Sequence, residues 1–270
     1  MWALKLLLIP ILFYLALLGA IYLGQTALVF PTRFAQGALP LTGAARFTVD
    51  ATDGERLHGV HIPPRRPPSS SRLLVIGFGG NAWNAEAAAD YLAGVYPQAD
   101  VVTFHYRGYA PSTGKPSAAA LLADTLRVHD ESVNRIKPQR VVAVGFSIGS
   151  GVAARLAARR SLAGLILVTP FDSLRRVAQQ HYPWLPVRWL FRHEMPAAED
   201  LRSSKVPTAI LAAGRDTVIP SRRTQRLREA VPNLVYDRTV ASAGHNDLYE
   251  RPEFRQAMLE ALQRLVPQHP

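Results

Sequence analysis

The most constraining stretch of this chain is Val141 to Gly149. Val141-Val142-Ala143-Val144-Gly145-Phe146 reads as a buried strand, and it runs without a linker into Ser147 and a helix rich in small residues (Gly149, Ser150, Gly151, Ala153, Ala154). The junction is Gly145-Phe146-Ser147-Ile148-Gly149, a G-x-S-x-G between strand and helix. A strand turns into a helix this abruptly only through a sharp, strained corner, whose neighbours must have almost no side chain. The corner lifts the Ser147 hydroxyl out of the sheet, and the helix N-terminus behind it favours developing negative charge.

The chain around this corner alternates. Short apolar or β-branched runs at Leu73–Phe78, Val101–Phe104, Val141–Phe146, Leu165–Val168, Ala209–Ala213 and Asn233–Val240 read as strands. Helical patterns lie at Glu86–Val95, Ser117–Arg135, Ile148–Arg160, Ser221–Val231 and Pro252–Leu265. Such alternation predicts an α/β fold, a mostly parallel sheet with helices on both faces. Arg46–Asp50 and Leu57–Ile62 flank Asp53-Gly54 as a hairpin, and Pro63-Pro64, Pro67-Pro68 and Ser69-Ser70-Ser71 form a loop. Residues 172–204 break the alternation. They hold Tyr182, Trp184, Trp189, Phe191 and three prolines, and read as a small inserted helical cap.

A nucleophilic serine needs a base and a group to orient it. Gly214-Arg215-Asp216 follows the strand Ala209–Ala213, and Gly244-His245-Asn246 follows the strand ending at Val240. Both stand at carboxyl ends of strands, where open α/β sheets carry their sites. His245 is expected to take the Ser147 proton and Asp216 to hold the imidazole. Asp172, after Leu165–Val168, is the alternative acid. An oxyanion hole requires two backbone N–H groups. Ile148, next to the serine, is expected to give one. The loop Gly79-Gly80-Asn81-Ala82 is expected to give the other, from Asn81 or alternatively Gly80.

Leu6 to Leu23 is an unbroken apolar run, LLLIPILFYLALLGAIYL, and no charge appears between Lys5 and Arg33. At about 1.5 Å per residue, residues 6–30 span a ~30 Å hydrocarbon core. Trp2, Tyr14 and Tyr22 are the expected interface residues. The competing reading is a cleaved signal peptide, whose apolar stretch is usually shorter. The expected organisation is a single-pass anchor over 1–30, a polar connector over 31–44 and an α/β domain over 45–267 with its cap at 172–204. The positive-inside count is nearly balanced. The short N-terminal tail favours a domain on the non-cytoplasmic side of the membrane.

Composition narrows the chemistry. The 270 residues include no Cys, which excludes disulfides, a cysteine nucleophile, thiolate zinc sites and Fe–S clusters. The net charge is +11, and all the positive residues except Lys5, Lys115, Lys137 and Lys205 are arginines. They are scattered along the chain instead of gathered in one face or tail, which argues against a nucleic-acid partner. No zinc-protease, Walker or dinucleotide motif appears, so neither metal nor cofactor is expected. His58 and His61 fall on opposite faces of a strand, and His105 has a packing role. Arg107 is expected to brace its own loop.

These residues resemble the α/β-hydrolase superfamily over about residues 45–265. The resemblance is closest to its small membrane-anchored branch, which includes protein depalmitoylases and relatives of the serine aminopeptidases. Beside Ser147, Asp216 and His245, it is carried by Asp53-Gly54, by Tyr106-Arg107-Gly108-Tyr109 with Ser112, Gly114 and Pro116, by Val218-Ile219-Pro220, and by Gly244-His245-Asn246-Asp247-Leu248. Relatives commonly begin the oxyanion loop with His-Gly-Asn; here it is Gly79-Gly80-Asn81. The resemblance implies a serine hydrolase acting through an acyl-enzyme on an ester or thioester, with an amide also possible. The Trp/Leu/Phe-rich cap points to a small-molecule or lipid-like acyl substrate. The alternative is a hydrolase-shaped binding or scaffold protein at the membrane.

Overall fold

The computed structural model describes residues 2–35, 40–67 and 71–267. Residues 36–39 of the connector and 68–70 of the Pro/Ser loop lie outside the described residues, as does the side chain of Trp2. The strands are β1 (Ala45–Asp50), β2 (Arg56–Ile62), β3 (Leu73–Phe78), β4 (Asp100–Phe104), β5 (Arg140–Phe146), β6 (Gly164–Val168), β7 (Thr208–Ala213) and β8 (Leu234–Val240). They form one sheet in the order β1-β2-β4-β3-β5-β6-β7-β8. β2 runs antiparallel to both β1 and β4, and the pairings from β4 through β8 are parallel. The expected architecture, an α/β-hydrolase fold with a mostly parallel sheet, is the observed one.

The two-residue strand period sorts the core into two layers. Leu74, Ile76 and Phe78 of β3, with Ala143 of β5 and Leu165 and Leu167 of β6, face one side. Val75, Val142, Val144, Phe146, Ile166 and Val168 face the other. The first side is covered by α3 (Ala118–Ile136), α4 (Ile148–Arg159) and α8 (Ser221–Ala230), through Leu121, Leu156 and Leu227. The second is covered by α2 (Ala85–Val95) and α9 (Pro252–Leu265), through Leu92, Phe254 and Met258. Because both faces are covered, these strands read as continuous apolar runs. Each fully buried Val, Leu or Ile contributes roughly 1.5–3 kcal/mol.

Side-chain caps set several helix starts. Asn84 Oδ1 accepts from the Ala87 amide at 3.2 Å, and Ser117 Oγ from the Ala120 amide at 3.1 Å. Ser117, expected as the first residue of its helix, is therefore the residue that caps it. The interval 172–204 carries three short helices: α5 (Leu174–His181), α6 (Val187–Leu190) and α7 (Ala197–Leu201).

Two local features add to the expected picture. Within the connector, Thr32–Ala35 forms a 3₁₀ turn, and Ala35 is buried at 2% exposure. His61 on β2 is paired. Its Nε2 meets Asp100 Oδ1 at 2.7 Å, and Arg72 Nε meets the other carboxylate oxygen at 2.8 Å. Asp100 is fully buried, so it requires both partners.

Arg107 does brace its loop. Its guanidinium grips Asp124 bidentately, at 3.0 and 2.7 Å, and also bonds Asp53 of the first hairpin. The Arg107 and Asp124 side chains are 7% and 9% exposed. Arg107→Ala leaves Asp124 as an unpaired buried charge, with an expected cost of about 3–5 kcal/mol. Thermal unfolding should show a fall on the order of 10 °C; a fall under about 2 °C would contradict the role.

Candidate active site

The site is built at the carboxyl edge of the sheet. Ser147 follows β5 and stands at the N-cap position of α4 with φ 51° and ψ −117°, a conformation that L residues seldom adopt. Close approach requires the flanking glycines. A Cβ on Gly145 would stand 2.4 Å from the Gly149 carbonyl oxygen, and one on Gly149 would stand 2.2 Å from that of Phe78. The Ser147 amide is fixed to the Val168 carbonyl at 2.9 Å.

Three of the expected residues meet. Ser147 Oγ lies 3.0 Å from His245 Nε2, and His245 Nδ1 lies 2.8 Å from Asp216 Oδ2. The other Asp216 oxygen accepts from the Val218 and Ile219 amides at 2.8 and 2.7 Å. Those two bonds orient the carboxylate toward the imidazole. The histidine loop is itself tied down: Asp247 Oδ1 accepts from the Gly244 amide at 2.6 Å, and its other oxygen bonds Arg251. His245 and Asp216 side chains are only 8% and 6% exposed, so little water competes for their bond. Asp172, the alternative acid, points elsewhere and pairs with Arg223 at 3.2 Å and Arg176 at 3.7 Å.

Ile148 opens α4, so its amide has no acceptor within the helix. Gly80, Asn81 and Ile148 line one cavity with Ser147 and His245, and a Cβ on Gly80 would stand 3.8 Å from that of Ser147. Two tyrosines hold this loop. Tyr106 Oη donates to the Gly79 carbonyl at 2.8 Å, and Tyr109 Oη donates to Asn81 Oδ1 at 3.2 Å. Both come from the loop that Arg107 braces, so the buried ion pair steadies the Gly79-Gly80-Asn81-Ala82 loop through them. Sequence reading overlooked these tethers; the only signal was the tyrosine on each side of Arg107-Gly108.

The cavity has a volume of about 520 Å³, within the range of small-ligand sites. Its remaining walls are largely apolar, from Trp83, Phe171, Leu174, Val177, Ile219 and, across the whole chain, Val29. Tyr249 completes it, and burial pushes the Tyr249 hydroxyl up to about 12, so it is a neutral donor at ordinary pH. A larger concavity of about 900 Å³ lies on the arginine-bearing side of α5, lined by Arg175, Arg176, Arg222 and Arg223. It contains none of Ser147, Asp216 or His245. His105 is likewise apart from the cavity, buried with Nε2 2.9 Å from Glu86.

The family described as the alpha/beta hydrolase fold matches residues 73–206. A Mycobacterium tuberculosis protein described only as uncharacterized is 33% identical over 223 residues, covering 81% of this chain and 77% of its own. A lysophosphatidylserine lipase of Danio rerio is 34% identical over 145 residues, 47% of this chain and 38% of that protein. The structure of a Pyrococcus furiosus esterase superposes with a TM-score of 0.66 at 20% identity, covering 85% of this chain and 97% of that one, a likeness of fold. Matched by the family model from β3 to β6 and by a relative over 81% of its length, the chain belongs to the α/β-hydrolase family.

Proposed function

We propose that this α/β hydrolase is a membrane-anchored serine hydrolase that cleaves a carboxylic ester or thioester, or an amide, through an acyl-enzyme. One observation carries the reading: the Ser147–His245–Asp216 hydrogen-bond chain, at 3.0 and 2.8 Å, opens into an apolar cavity. Ser147 Oγ attacks the carbonyl carbon as His245 Nε2 takes its proton. Asp216 stabilises the imidazolium. The Ile148 amide and the Asn81 or Gly80 amide receive the oxyanion. His245 then protonates the leaving group, and a water deprotonated by His245 releases the acid. The apolar walls favour an acyl substrate, and a lipase among the relatives is consistent with that.

The anchor is α1 (Trp2–Val29), long and apolar enough to cross a membrane. Phe13, Leu23 and Leu28 are more than 70% exposed, a larger apolar surface than water-soluble monomers tolerate. In this reading residues 1–30 are the anchor, 31–44 the connector and 45–267 the hydrolase domain with its cap at 172–204, on the non-cytoplasmic side.

The test uses the full chain purified in detergent. It should label with a fluorophosphonate and hydrolyse p-nitrophenyl esters; failure of folded protein on ester, thioester and amide substrates would leave a scaffold. Asp216→Asn should lower kcat/KM by on the order of 10⁴, while Asp172→Asn should stay within a few fold. Equal losses would make the acid assignment wrong. Intact mass of membrane-extracted protein separates a retained anchor from a cleaved signal peptide, and protease treatment of intact cells against permeabilised cells reads the orientation.

A further inference from the structure

We propose that the end of α1 is a wall of the substrate cavity, which makes this a subsite for the long acyl chain of a lipid resident in the membrane. The inference rests on the reading of Ser147 as nucleophile and of α1 as a membrane helix. Val29, the last residue of α1, lines the same cavity as Ser147 and His245 although 118 and 216 positions separate it from them.

The helix end is fastened to the cap. Gln25, buried at 5% exposure near the end of α1, donates to the Leu190 carbonyl at 3.1 Å and accepts from the Arg192 amide at 2.8 Å. Its side-chain amide thus satisfies two backbone groups of the cap, as a neighbouring strand would. Thr26 Oγ1 meets His193 Nε2 at 2.9 Å, and the Arg192 guanidinium lies 4.5 Å from the centre of the Tyr22 ring. A polar group in a lipid-facing segment is costly unless partnered. Gln25 and Thr26 have their partners on the cap, so the attachment is specific.

The cap also follows the helix toward its N-terminus. Tyr14 Oη donates to the Trp184 carbonyl at 2.8 Å, about 16 Å along the helix axis from Gln25. This brings the cap alongside the lipid-facing stretch. Tyr182, Trp184 and Trp189, 52%, 53% and 79% exposed, add large aromatic surface to the cap segment that packs along α1. Phe171, Leu174 and Val177 join Val29 in the apolar lining of the cavity that holds Ser147. An acyl chain entering beside α1 would stay on apolar surface from the bilayer to the nucleophile, with its carbonyl delivered to Ser147.

The experiment compares Val29→Trp with Leu28→Trp, whose parent residue is 71% exposed and outside the cavity. Both are made in the full chain, reconstituted in phosphatidylcholine vesicles and assayed on p-nitrophenyl palmitate and acetate. Val29→Trp should lower the palmitate-to-acetate ratio of kcat/KM at least tenfold, and Leu28→Trp should leave it within about twofold. If Val29→Trp does not fold, Val29→Ala should shift the preferred chain length upward. An unchanged ratio in Val29→Trp, or an unchanged optimum in Val29→Ala, overturns the proposal. Wild type that does not label with a fluorophosphonate removes the nucleophile reading instead, and the two failures are told apart because labelling reads Ser147 alone.

Discussion

Ser147→Ala is expected to abolish fluorophosphonate labelling and to lower kcat by on the order of 10⁶, while the protein stays folded. The loss is large because proton transfer to His245 and covalent attack both require this one oxygen, which stands 3.0 Å from His245 Nε2. In the proposed mechanism the residual rate comes from the amides that receive the oxyanion and from binding. Stability should hardly move, since alanine keeps the same strained corner at φ 51° and ψ −117°. Ser147→Gly separates the two quantities further. Glycine accepts positive φ at little steric cost, and strain at such a position is worth roughly 1–3 kcal/mol. After the extra chain entropy of glycine is subtracted, the gain should be about 1 kcal/mol, or a melting temperature raised by roughly 2–4 °C. An inactive variant more stable than its parent would be the signature of strain held for catalysis. Persistent labelling in Ser147→Ala would remove Ser147 from the reaction.

The sheet was legible because its physics is local. Strands buried on both faces must be short apolar runs, so Leu73–Phe78 appeared in the sequence with the bounds it has in the structure, and Val101–Phe104 lacked only Asp100. The corner at Ser147 was legible for a similar reason, since only glycine fits at positions 145 and 149. Strand ends also placed Asp216 and His245, because the residues that follow a parallel strand emerge on one edge. What stayed hidden depends on contacts between distant segments. Nothing in the run Leu6–Leu23 announces that Gln25 will bond the cap or that Val29 will reach the cavity. The Tyr106 and Tyr109 tethers to Gly79 and Asn81 come from a loop 27 and 28 residues away. Their hydroxyls find Gly79 and Asn81 only after β4 has paired with β3. Asp172 and Asp216 both follow strands, and only the direction of their loops distinguishes them.

The second large effect concerns Gly149, where fold and chemistry share one contact. Gly149→Ala is expected to destabilise the protein by about 3 kcal/mol or more and to lower its melting temperature by roughly 6–12 °C. The added Cβ would stand 2.2 Å from the Phe78 carbonyl oxygen and 2.6 Å from that of Gly79. These are backbone atoms of a buried strand end, and no rotamer change relieves them. Either α4 withdraws from β3 or the chain after Phe78 moves, and that chain is the loop proposed to supply an oxyanion amide. Activity should therefore fall together with stability, even in the fraction that remains folded. Two other glycines calibrate the measurement. Gly80→Ala meets its nearest atoms at 3.8 Å, and Gly94→Ala on α2 meets nothing within 4 Å. The first should leave the melting temperature almost unchanged, and the second should raise stability by up to about 1 kcal/mol through helix propensity. If thermal unfolding shows Gly149→Ala grouped with Gly80→Ala, α4 does not press on β3 as described, and the close approach that positions Ser147 against the Gly79-Gly80-Asn81-Ala82 loop must be abandoned.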